Sequence, residues 1–80
     1  MKMISRTSYD YSDETYPAIV TGARHCLEIR NNPSHRHSSI IGALHNGDEV
    51  EVADHRKGRY IYIYSPNLNC SGWVNGNYVA

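Results

Sequence analysis

The chain has 80 residues, 40% of them hydrophobic and 20% charged, and eight Lys+Arg balance eight Asp+Glu. That length holds one small domain, and that composition argues against a wholly disordered chain. The absence of net charge makes nucleic acid an unlikely partner, because such binders carry a basic excess.

No apolar run approaches the ~20 residues of a membrane-spanning helix, so no membrane partner is expected. The start of the chain, Met1-Lys2-Met3-Ile4-Ser5-Arg6-Thr7-Ser8, lacks the apolar stretch of a secretory signal. A cytoplasmic location is therefore expected. A cell-wall location is expected instead if the chain is a module of a larger or phage-released protein.

Residues 1–17 read as a flexible, polar, tyrosine-rich arm, or as one that docks its tyrosines on the barrel or on a neighbouring subunit. Tyr9, Tyr11 and Tyr16 lie among Asp10, Asp13 and Glu14, with no sustained period of 2 or 3.6. Pro17 stops any helix before it. Residues 18–80 read as one β domain. Ile19-Val20-Thr21 is a β-branched run ended by Gly22. Cys26 to Arg30 alternates, with Leu27 and Ile29 on one face and Glu28 and Arg30 on the other. Asn31-Asn32-Pro33-Ser34 breaks that strand.

Ser38 to Leu44 is a second apolar stretch, and Asn46-Gly47 is the strongest turn signal in the chain. Glu49-Val50-Glu51-Val52 places its valines inward. Asp54 to Arg59 reads as a charged hairpin tip. Tyr60 to Tyr64 alternates again, Ser65 to Asn69 forms a loop, and Gly72-Trp73-Val74 and Tyr78-Val79-Ala80 close the chain. Five to six short strands with turns every 8–12 residues predict an all-β fold, a small antiparallel barrel or sandwich.

The ordered set of segments resembles the bacterial Src-homology-3-like (SH3b) domain family over about residues 23–80. Leu27-Glu28-Ile29-Arg30-Asn31-Asn32-Pro33-Ser34 matches the family's strand running into Arg-x-x-Pro-Ser. Ile41-Gly42-Ala43-Leu44 and Gly47-Asp48-Glu49-Val50-Glu51-Val52 follow in the family's order. The aromatic strand Tyr60–Tyr64 and the closing Gly72-Trp73-Val74 and Tyr78-Val79 come next. The chain departs from the family at Asn31-Asn32, at Tyr60 in place of a Trp, and in the loop from Ser65 to Ser71. The resemblance implies an SH3-like barrel and a non-catalytic binding module for peptides or peptidoglycan fragments. A phage or prophage origin would suit a chain of this size without a signal.

Parity supplies the main candidate site. If Ile61 and Ile63 point inward, Tyr60, Tyr62 and Tyr64 share the outer face and span ~13 Å. That stripe is covered within the chain, buried between copies in a homo-oligomer, or open to a ligand. Trp73 faces away from the inward Val74 and forms a groove wall or an edge contact. Tyr78 closes the barrel or lines the same groove. The expected ligand groove lies between the Arg30–His37 loop and this aromatic surface. Arg30, Asn32 and His35 are its hydrogen-bonding groups, and a peptide, a cell-wall fragment or a protein is its partner.

A second candidate is an anion patch in which Arg36 and His37 converge with Arg56, Lys57 and Arg59. Such a patch would sequester a small anionic ligand, and the acidic arm could pair with it. Loop histidines would add pH sensitivity to binding.

Cofactors are not expected. His35-Arg36-His37 lacks the second close pair of a structural zinc site, so no metal site is expected. Cys26 and Cys70 allow one disulfide, although without a secretory signal two reduced thiols are preferred. The glycosylation pattern Asn69-Cys70-Ser71 is attributed to chance. No nucleophile elbow, phosphate loop or His-Glu-x-x-His is present, so no enzyme activity is expected.

Overall fold

Alternation of apolar and polar residues organises the chain into strands. A computed structural model describes residues 15–80. The strands are β1 (Thr15–Ile19), β2 (Leu27–Arg30), β3 (Ile40–Leu44), β4 (Glu49–Lys57), β5 (Tyr60–Ser65) and β6 (Cys70–Asn75), followed by a single 3-10 turn, Gly76–Tyr78. They form one antiparallel, barrel-like sheet in the order β1-β4-β5-β6-β2-β3. The fold is all-β.

The core is wholly aliphatic. Val20, Ile29, Leu44 and Ile63 are fully enclosed, with Val50, Val52 and Val74 beside them. No described aromatic side chain belongs to it. A core this small holds few large side chains, which leaves the rings to the outer face. Ile61, Ile63 and Ser65 alternate inward along β5, and the Ser65 hydroxyl accepts from the Leu68 N–H at 3.2 Å. This bond satisfies a polar atom that the core would otherwise leave unpaired.

The end of β1 is held on both sides. Val20 donates to the Asp48 carbonyl and accepts from the Gly47 N–H. On the other side Ile19 exchanges bonds with Ala80, and Thr21 donates to Tyr78. Each of these bonds is 2.8–2.9 Å long.

Two sequence expectations change. The boundary after residue 17 falls inside β1, because Thr15, Tyr16 and Pro17 pair with Ala53, Val52 and Glu51. Proline is tolerated here because its nitrogen points to the same side as that of Ile19, which bonds Ala80 and faces away from β4. Residues 1–14, the rest of the expected arm, lie outside the described residues. The supposed charged tip at 54–59 is mostly strand, since β4 runs to Lys57 and only Gly58-Arg59 turns. The turn expected at Asn46-Gly47 is present, with a positive φ of 96° at the glycine, and it joins β3 and β4, which are not neighbours in the sheet.

Candidate functional site

The alternation in β5 puts three tyrosines on the outer face, opposite the buried Ile61 and Ile63. Across the strand pair Tyr60 faces Asn75, Tyr62 faces Trp73 and Tyr64 faces Ser71. The Tyr62 and Trp73 rings meet edge to face, with centroids 5.2 Å apart and planes at 72°. This geometry is favoured by the ring quadrupoles. Tyr60, Tyr62 and Trp73 are half-buried, while Tyr64 is exposed and donates its hydroxyl to Asn69 Oδ1 at 2.8 Å. The stripe is therefore one face with three different surroundings.

The surroundings differ because β4 is irregular. Val52 pairs with Ile63, yet the next pair is Arg56 with Ile61. Ala53, Asp54 and His55 thus stand opposite Tyr62 alone. Extra residues in one strand of a pair bend it and disrupt the local ladder. A groove of about 410 Å³ opens at this bulge, lined by His55, Arg56, Lys57, Tyr62 and Trp73. Its lining combines Arg56 and Lys57 with two aromatic rings and no acid. Such a surface suits a ligand that offers both a carboxylate and an apolar or planar group.

A second, smaller cleft of about 190 Å³ lies where β2, the turn after β4 and the 3-10 turn meet. Arg30, His35, Arg59, Tyr60 and Tyr78 line it, with Cys26, Glu28 and Asn75. The expected single groove is thus divided. Tyr60 and Tyr78 belong with Arg30 and His35, whereas Tyr62 and Trp73 belong with Arg56 and Lys57. The ring of Tyr78 lines the cleft while its backbone carbonyl closes the barrel against Thr21.

Arg30 does not act as a free donor. Its guanidinium bonds Glu28 Oε1 at 2.7 Å, Ser38 Oγ at 3.0 Å and the His35 carbonyl at 3.2 Å. Its side chain is buried, while that of Glu28 is about half exposed. Asn32 likewise donates to the His37 carbonyl at 3.3 Å. His37 N donates to Ser34 Oγ, and the Ser38 hydroxyl donates to the Ser34 carbonyl. These bonds make the loop from Asn31 to Ser39 a braced structure laid over Arg30. Arg30 and Asn32, two of the three residues read as hydrogen-bonding groups, thus spend these donors within the loop. Parity in Glu28-x-Arg30 carried the signal for that ion pair, since i and i+2 share a face.

The expected convergence of the two basic loops is partial. His35 and Arg59 share the smaller cleft, while Arg36 and His37 are exposed and line neither cleft. Arg56 donates to the Gly58 carbonyl at 3.4 Å, which turns it along its own hairpin. Sequence alternation does not reveal the bulge in β4, and so it misses the place where His55 and Lys57 join the aromatic pair.

Cys26 is an exposed free thiol and Cys70 a half-buried one. Among the described residues no group of three His, Cys, Asp or Glu side chains is placed to hold a metal ion. Among them, too, no helix is long and apolar enough to cross a membrane. Compared with protein-family models, curated proteins and solved structures, the chain matches none.

Proposed function

We propose that this chain is a non-catalytic binding module of the bacterial Src-homology-3-like kind. Its ligand would be a peptide or peptidoglycan fragment held in the groove at the β4 bulge. The observation that carries this reading is the edge-to-face Tyr62–Trp73 pair set against Arg56 and Lys57 in one groove. The rings supply apolar area at low entropic cost, and the cations supply attraction for a carboxylate. The ordered segments from Leu27-Glu28-Ile29-Arg30 to Gly72-Trp73-Val74 support the family reading. Trp73 is the sole tryptophan, so its fluorescence reports on the groove. Titration of the full chain with peptidoglycan stem peptides should shift that emission, and purified cell walls should retain the protein. An unchanged emission together with no retention would overturn the proposal.

A second reading, a protein-interaction or self-associating module, is favoured by a different surface. Ile40, Ile41 and Leu68 are about half exposed, and β3, which carries the two isoleucines, pairs with β2 alone among the described residues. An unpaired apolar edge is a template for strand addition. Light scattering of wild type and of Ile41→Lys distinguishes the readings. A mass that falls with the substitution supports association through β3.

A further inference from the structure

We propose that the Tyr62/Trp73 groove is filled in cis by the chain's own acidic segment, Tyr9-Asp10-Tyr11-Ser12-Asp13-Glu14. The inference rests on the reading of this groove as the binding surface and names one occupant for it.

The register of β1 supplies the direction. β1 runs antiparallel to β4, and its first pair is Thr15 with Ala53. A chain continuing that direction back from Thr15 would step forward along β4, toward His55, Arg56 and Lys57. Beyond Ala53, β4 is paired on the β5 side only, among the described residues. From Ala53 to Lys57 is four residues, or ~13 Å of strand. The six residues 9–14 span up to ~20 Å when extended, enough to reach past the lip of the groove. Thr15 itself is tied down, for its hydroxyl donates to Glu51 Oε1 at 3.2 Å.

Charge and chemistry supply the fit. The segment holds three carboxylates, Asp10, Asp13 and Glu14, and no cation. The groove presents Arg56 and Lys57, with Arg59 in the turn just beyond. Asp54, at the start of the bulge, is the one acid along this stretch of β4. It favours a segment that crosses toward the cations over one that stays beside it. Tyr9 and Tyr11 offer rings to Tyr62 and Trp73. A segment joined to β1 two residues from the groove has an effective concentration in the millimolar range, so weak contacts suffice. An external acidic peptide would then have to displace it.

The test uses the full chain and its single tryptophan. Two variants reverse the charges, one carrying Asp10→Lys, Asp13→Lys and Glu14→Lys, the other Arg56→Glu and Lys57→Glu. Each should raise acrylamide quenching of Trp73, and their combination should return it toward the wild-type value. Salt raised to about 1 M shortens screening to ~3 Å and should mimic either reversal in the wild type. Quenching that is the same in wild type and both reversals would overturn the proposal. So would a wild-type mass by light scattering of twice the chain that halves in the reversals, since the occupant would then be a second copy's segment. Stem peptides that fail to bind while the reversals move Trp73 count against the ligand proposed above and leave this inference standing. Stem peptides that bind while the reversals do nothing count against this inference alone.

Discussion

The side-chain amide of Asn46 grips both backbone polar groups of Ala23. Its Oδ1 accepts from the Ala23 N–H at 3.0 Å, and its Nδ2 donates to the Ala23 carbonyl at 2.8 Å. One side chain thus replaces a strand partner for a buried residue 23 positions away. It pins the corner between β3 and β4 to the segment that follows β1, where Gly47 and Asp48 also bond Val20. Asn46→Ala leaves both groups of Ala23 without that partner and should lower stability by about 1–3 kcal/mol. Asn46→Asp keeps the acceptor, loses the donor and sets a carboxylate against a carbonyl, so it should be no milder. Urea unfolding checks both, and an Asp variant as stable as wild type would show that the clamp contributes little.

Gly72 is required by a close approach between β6 and β2. A Cβ there would lie 2.5 Å from Ile29 Cγ2 and 2.7 Å from the Arg30 carbonyl oxygen. The second neighbour is backbone and cannot turn aside. Gly72→Ala should destabilise by about 1–3 kcal/mol or more through overpacking. Gly42→Ala is the control, because the nearest atom to its Cβ, at 3.2 Å, is the movable end of Ile29. Thermal melts should rank Gly72→Ala well below Gly42→Ala.

Arg30 makes three hydrogen bonds with a planar fork that lysine cannot reproduce. Arg30→Lys should therefore destabilise by about 1–3 kcal/mol, because it leaves acceptors near a buried site unmet. Amide exchange of Asn31 and His37 should quicken, since the loop they brace lies over Arg30. Affinity for ligands of the Tyr62/Trp73 groove should stay within about twofold, a change worth less than ~0.5 kcal/mol. A tenfold loss there would give Arg30 a direct role in that groove.

Tyr62 and Tyr64 are two residues apart on one face and should behave differently. Tyr62→Ala removes half of the ring pair, worth about 0.5–1.5 kcal/mol beyond burial, and should weaken peptide binding about tenfold. Tyr64→Phe removes only the bond to Asn69 and should leave binding unchanged. Trp73 fluorescence titrations of the two variants decide the point. Equal losses would mean that the ligand runs the length of β5.

Much of the architecture was legible from the sequence. Leu27/Ile29, Val50/Val52 and Ile61/Ile63 face inward as their alternation predicts. The candidate site was legible only in part. Tyr60, Tyr62, Tyr64 and Trp73 lie off the core as read, but their division between two clefts was hidden. Arg30 looked like a free cation because nothing in Arg30-Asn31-Asn32-Pro33-Ser34 reveals that the loop folds back over it. Ile40 and Ile41, within the apolar stretch Ser38 to Leu44, are exposed.

The in-and-out placement of Leu27/Ile29, Val50/Val52 and Ile61/Ile63 was settled by the sequence alone, whereas Arg30, Ile40 and Ile41 depart from it where the register shifts. That placement follows from the two-residue period of extended backbone, which neighbouring residues set among themselves. Tertiary structure alone decided the offset of β4 against β5, the closure of Val20 between Asp48 and Val79, and the sharing of one groove by Tyr62 and Lys57. Those features depend on which of several pairings buries the aliphatic residues and satisfies backbone groups such as those of Ala23. That competition is between segments far apart in the chain, and a local pattern carries no record of its outcome.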